Sequence, residues 1–294
     1  MTRLLIRHET RYSYERPVSF GAHRLLVRPR DSHAVRVLDA SLSFDPNGTT
    51  RWMYDALGNS VCWLQPQGEA QSLSIVSRLT IERFPTPITE AQVEDPHTAT
   101  PIVYDLGDRA VLSPFIEPFT VDYSGALMTW LREHLSRADE PALALLMRLN
   151  RAVHDEFEYN GRFEEGTQAP CLTAESRSGT CRDFAWMLVE VARRLGFAAR
   201  FVTGYLHSPD EAMRGAGATH AWCEVFLPGF GWTEFDPTNG LVESPDLIPV
   251  AVSRTPDEAA PIHGAIFGDP GWSDLQVHVD VRLAGDSNDN KAAA

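Results

Sequence analysis

SGTCRDFAWMLVEVARRLGF, residues 178–197, is the stretch on which the fold turns. Phe184, Ala185, Leu188, Ala192 and Leu195 recur at helical spacing from Cys181, and Arg182, Glu190, Arg193 and Arg194 take the other sides, which predicts an amphipathic helix. Thr180 is placed to cap it, Asp183 stands where a carboxylate completes a capping box, and Gly196 supplies a left-handed stop. Cys181 is then the first helical residue. Unpaired backbone N–H groups and the positive end of the helix dipole favour an anion there, which for cysteine means the thiolate.

Working outward, the chain changes character twice. Residues 1–84 read as short alternating strands (LLIRHETRYSYE, HRLLVRPR, VRVLDASLSFD, TTRWMYDA, SVCWLQP, QSLSIVSRLTIERF) separated by turn signals such as Asp45-Pro46-Asn47-Gly48, the pattern of an antiparallel β-sandwich. Prolines at 85, 87, 96, 101, 114 and 118 mark residues 85–118 as a connection with little regular structure. Helical periodicity follows around Tyr123–Leu135 and Glu140–Glu156, then an irregular segment Glu158–Gly179 leads into the Cys181 helix. The strands AARFVTGYL, THAWCEVFL, GWTEFD, LIPVAVS and DLQVHVDVRL complete a core over 119–284, and the polar tail 285–294 is expected to be disordered. The fold class is α+β.

Composition narrows the function. The net charge of −14 comes from 40 acidic and 26 basic residues with no basic cluster, so nucleic-acid binding is not expected. The N-terminus lacks the apolar run of a signal peptide, and no stretch reaches membrane-spanning length. A cytoplasmic protein without a membrane partner is the expectation. Cys62, Cys171, Cys181 and Cys223 form no Cys-x-x-Cys pair, which fits a reducing compartment; three of them read as small core residues. No residue pattern bears on oligomeric state.

A reactive thiol needs a base, and the base needs an orienting group. In Thr219–Leu227, His220, Trp222, Glu224 and Phe226 share one strand face; on the returning strand Trp232, Glu234 and Asp236 share one. A tight turn at Pro228-Gly229 sets Asp236 beside Ala221, an added bulge sets it opposite His220, and a four-residue loop sets it beside Cys223. Those alternatives stay open in the sequence.

The motifs GTCRDFA, RRLGFAARFVTGY and THAWCEVFLPGFGWTEFDPTNG, in that order, resemble the transglutaminase-like family of the papain-type cysteine-enzyme superfamily. The run Ile6–Tyr14 and the segment RLLVRPR resemble the β-rich N-terminal region of its bacterial members. The resemblance implies a Cys181-His220-Asp236 triad, a helix-borne cysteine packed on an antiparallel sheet, and acyl transfer at amide, peptide or isopeptide bonds through a thioester, with no cofactor. It also implies a peptide or protein as substrate.

Hydrolysis is expected ahead of amine cross-linking, since transfer needs a site that excludes water; a non-catalytic binding module that keeps the cleft is the alternative. Arg182 stands where many bacterial members carry glutamine. The nearest upstream glutamine, Gln168, is thirteen residues before the cysteine, so the Cys181 backbone N–H is the oxyanion donor to expect. Trp222 is expected to shape the cleft. A zinc site at the three triad residues is disfavoured, because close ligand pairs are missing.

Overall fold

The computed structural model describes residues 2–84, 88, 101–135, 140–161, 166–209 and 213–285. The N-terminal strands are β1 (Thr2–Phe20), β2 (His23–Leu25), β3 (Val35–Asp45), β4 (Gly48–Tyr54), β5 (Ser60–Pro66) and β6 (Glu69–Arg83). In β1 the buried residues Leu4, Ile6, His8 and Thr10 alternate with more exposed ones, as a strand covered on one face requires. β1 and β6 pair antiparallel from Thr2–Arg83 onward, and β3 lies on the far side of β6. A second sheet orders β2, β5 and β4. Tyr14, Val18, Phe20, Leu25, Val27, Cys62, Leu64, Leu73 and Ile75 form the cluster shared by the two sheets, the interior of a sandwich.

Helices α1 (Leu106–Ile116), α2 (Ala126–His134) and α3 (Ala142–Glu156) follow. Helix α1 corrects the expectation of an irregular connection. Asp105 caps it by accepting from the Asp108 N–H, and Leu112 and Phe115 are buried; Pro114 lies in the final turns without breaking it. The rest of the proline-rich stretch, apart from Ile88 and residues 101–105 and 117–118, lies outside the described residues, as does the tail beyond 285. β7 (Glu158–Tyr159), α4 (Pro170–Ser176) and β8 (Ser178–Gly179) come next. The expected irregular segment thus holds a helix, opened by Pro170 in its first turn, a position proline suits.

Helix α5 (Cys181–Arg194) precedes β9 (Ala199–Leu206), β10 (His220–Leu227), β11 (Gly231–Asp236), β12 (Leu241–Val242) and β13 (Leu247–Ser253), which form a sheet in the order β12-β11-β10-β9-β13. Phe184, Ala185, Leu188 and Ala192 of α5 pack in one cluster with Ala221, Cys223, Val225 and Phe235 of the sheet. Contrary to an amphipathic surface helix, α5 is buried on nearly every side. Its charged face is covered: Glu190 accepts from Phe119 N, Thr120 N and the Thr120 hydroxyl, and Arg193 donates to the carbonyls of Phe115, Ala199 and Arg254.

The last strands, β14 (Ile262–His263), β15 (Ile266–Phe267) and β16 (Ser273–Leu283), do not stay with the core in which the sequence reading placed them. β14 pairs with β2, and β15 and β16 pair with β1. The chain therefore closes back on the sandwich and clamps the two halves together. Leu4, Ile6, Leu79, Ile81 and Val279 meet Tyr205, Ile248 and Val250 across the junction. No helix among the described residues is long and apolar enough to cross a membrane.

Candidate active site

Cys181 sits at the first position of α5, where no intrahelical acceptor exists for its N–H. The helix start is fixed as the motif requires: Asp183 accepts from Thr180 N at 2.9 Å and from the Thr180 hydroxyl at 2.8 Å, within a capping box. Gln168 N donates to the other oxygen of Asp183 at 2.7 Å. The Gln168 side chain is engaged with Thr173 and the Ser178 carbonyl, so Gln168 serves the helix start and not an oxyanion. At the far end Gly196, at φ +87°, and Phe197 donate to the carbonyls of Arg193 and Ala192, a Schellman stop.

The register of β10 and β11 decides whether the other two residues meet. Phe230 N donates to Leu227 O, and Gly229 has φ +84°, a turn with Pro228 and Gly229 at the centre that demands a positive φ at its third residue. One extra residue, Gly231 at φ +83°, follows the turn, so Leu227 pairs with Gly231, and Cys223 with Phe235. Continued by one step, that register sets Asp236 opposite Trp222, between the alternatives that the sequence left open. Asp236 and His220 are therefore diagonal neighbours on one face, within reach of side chains. His220 Nε2 donates to Asp236 Oδ2 at 2.9 Å, with the two residues 1% and 0% exposed.

Nε2 being committed to the carboxylate, Nδ1 is the nitrogen left for the sulfur. It is buried without a hydrogen-bond partner, and the Cys181 thiol is, after Asp236, the group that acts on the ring. Burial opposes a charged imidazole, but the Asp236 carboxylate and then Cys181 more than offset it, so the His220 pKa is raised. Burial likewise pushes Asp236 up, and His220, Asn239 and the Thr238 N–H together bring it below the ordinary carboxylate range. Cys181 is 9% exposed. The arrangement can take a proton from sulfur, hold it on an oriented imidazole and return it.

Two nearby residues carried no signal in the sequence reading. Tyr159 is placed by the parallel pairing of β7 with β8, which sets it level with Gly179, two residues before the cysteine. Burial first, and then the Cys181 thiol and the Asp236 carboxylate, raise the pKa of its hydroxyl. Asn239 donates to Asp236 Oδ2 at 2.9 Å, and Thr238 N donates to Oδ1 at 2.9 Å. An aspartate followed by such a turn is the one cue that the sequence offered.

The outer candidates fall differently. Arg182 is half-buried and acts electrostatically on Tyr159. Trp222 does not line a cleft. It is fully buried with Val202, Leu206 and Leu247, its ring 6.0 Å from that of His220, and it supports the imidazole from within the core. Gly204 makes room for it, since a Cβ there would stand 2.6 Å from the indole. Among the described residues no three His, Cys, Asp or Glu side chains converge as a metal site would require.

Comparisons with known proteins agree with this architecture. Residues 4–82 match the bacterial transglutaminase-like N-terminal region, and residues 129–237 match the transglutaminase-like superfamily. An uncharacterized protein of Mycobacterium leprae is 25% identical over 295 residues, covering 97% of this chain and 100% of the relative. A protein-glutamine gamma-glutamyltransferase of Pseudomonas aeruginosa is 28% identical over 184 residues, which take in 55% of this chain and 25% of that protein. The crystal structure of a candidate cysteine protease from Cytophaga hutchinsonii shares the fold, with a TM-score of 0.73 at 21% identity over 96% of this chain and 91% of that one. The chain belongs to the transglutaminase-like superfamily, with the bacterial transglutaminase-like N-terminal region ahead of its core.

Proposed function

We propose that the protein is a cysteine-dependent acyl-transfer enzyme that cleaves an amide, peptide or isopeptide bond of a peptide or protein. Cys181 is the nucleophile, His220 the general base and then acid, and Asp236 the group that orients His220. The observation that carries this reading is the buried 2.9 Å pair of His220 and Asp236, with the second imidazole nitrogen left to the thiol at a helix start. Nδ1 accepts the thiol proton as sulfur bonds to the carbonyl carbon. The C–N bond then breaks, the amine departs with that proton, and a thioester remains. Water adds to the thioester, its proton passing to Nδ1, and the acid leaves as the sulfur is restored. The Cys181 N–H is the expected oxyanion donor.

A primary amine as acceptor in place of water is the second reading, favoured by the name of the Pseudomonas relative. The test is acylation of intact protein by p-nitrophenyl acetate, with the labelled residue located by mass. One acetyl group on Cys181, lost in Cys181→Ala and slowed at least about 100-fold in His220→Ala, is the expected result; turnover retained in Cys181→Ala would refute the assignment. Release of acetate against transfer to hydroxylamine then separates the two acceptors.

A further inference from the structure

Asn239 uses its whole amide. One N–H goes to Asp236 Oδ2 at 2.9 Å, the oxygen that also holds His220. The amide also pairs with the backbone of Arg214: Asn239 Nδ2 donates to Arg214 O at 3.2 Å, and Arg214 N donates to Asn239 Oδ1 at 2.9 Å. Arg214 opens the strap 214–217, whose Gly217 carbonyl accepts from Val279 N at 2.9 Å. Gly215, at φ +86°, lies against the opposite edge of the imidazole, so close that a Cβ there would stand 2.9 Å from His220 Nδ1 and 3.5 Å from the Tyr159 hydroxyl. One side chain thus reaches both edges of the ring.

We infer that Asn239 is a positioning residue for His220, fixing Nε2 through Asp236 and the Nδ1 edge through the strap. This rests on the proposed role of His220 in acyl transfer. The same bonds keep the strap against the Nδ1 edge of the imidazole and the Tyr159 hydroxyl, so a substrate that lifts Arg214 away from Asn239 loosens one support of the base that will act on it. The turn that carries Asn239 has other anchors: His154 Nδ1 donates to Thr238 O at 2.8 Å, and Asn150 Nδ2 to Leu241 O at 3.0 Å. Removing the amide therefore leaves the turn in place.

Two variants separate the two contacts. Asn239→Ala loses both. Asn239→Asp can no longer donate to Asp236 yet keeps an acceptor for Arg214 N. Acetyl-Cys181, formed with p-nitrophenyl acetate, should deacylate about 10- to 100-fold more slowly in both variants, the size of effect expected from a misplaced catalytic group. Alkylation reads the strap: the rate with bulky N-ethylmaleimide relative to small iodoacetamide should rise about threefold or more in Asn239→Ala and stay near wild type in Asn239→Asp. Deacylation within about twofold of wild type in Asn239→Ala, or equal slowing of deacylation and both alkylations, would overturn the inference. A wild-type protein that alkylates at Cys181 but is never acylated there removes the parent reading, and this one with it.

Discussion

His220 is held in a conflict that its surroundings resolve in favour of charge. Burial penalises the imidazolium, whereas Asp236 at 2.9 Å and the neighbouring Cys181 stabilise it, and the net shift is upward. A raised imidazolium keeps its proton to higher pH than free histidine, whose pKa is about 6.5. In the proposed mechanism His220 must have lost that proton to accept the one on sulfur, so the acid limb of Cys181 acylation should lie above that value. Asp236→Asn removes the largest stabilising charge and leaves the burial, so the limb should move acidward and acylation at neutral pH should fall about 100-fold or more. The measurement is a pH–rate profile with p-nitrophenyl acetate; a limb unmoved in Asp236→Asn would break the assignment. How legible this site was differs residue by residue. Cys181 stands out because a capping box and a helical stripe begin beside it. His220 and Asp236 show themselves by strand alternation, but their register depends on the Pro228–Gly231 connection, where Gly229 and Gly231 both take positive φ. Tyr159 and Asn239 are invisible for a physical reason, since one arrives through pairing with a residue twenty positions away and the other through a turn.

At the scale of elements, α5 shows how charge can mislead. Glu190, Arg193 and Arg194 mark a solvent face in the sequence, yet Glu190 is 0% and Arg193 2% exposed. Backbone groups of residues 115–120 replace water around them, and Glu190 lies 3.2 Å from Arg193 and 2.7 Å from Arg194. Burial pushes the Glu190 carboxyl up, but Thr120, Arg194 and the Phe119 N–H together bring it below its ordinary range. An exposed ion pair contributes about 0–1 kcal/mol; removing one partner of a buried pair costs about 3–5 kcal/mol, because the other charge is left uncompensated. Glu190→Ala should accordingly lower the urea-unfolding free energy by roughly that larger amount, and a loss near the exposed-pair figure would show that the network is dispensable. Helices α1 and α4 were hidden for a related reason. Prolines over 85–118 read as a connection, whereas Pro114 is tolerated inside a helix, and Pro170, which carries no such reading, opens one.

The whole molecule is joined by contacts far apart in sequence, and one of them titrates. Tyr205 of β9 donates its hydroxyl hydrogen to Val27 O at 2.9 Å, so its oxygen must accept from His8 Nδ1 at 3.1 Å. His8 is then the neutral Nδ1–H tautomer, and its Nε2 accepts from the Thr10 hydroxyl at 3.1 Å. Burial pulls the His8 pKa down to about 4. Because the folded value lies below the unfolded one, the unfolded chain binds the extra proton between the two. The contribution is complete above about pH 6.5 and is lost as pH falls towards 4, amounting to roughly 3 kcal/mol across that window. In His8→Gln, which keeps a donor and an acceptor but cannot charge, the fall in unfolding free energy between pH 7 and 4.5 should be smaller than in wild type by most of that amount. Equal acid sensitivity in the two proteins would mean that His8 is free to ionise in the folded state, and that the junction of sandwich and core is wet where the packing of Leu4, Ile6, Tyr205 and Ile248 makes it dry.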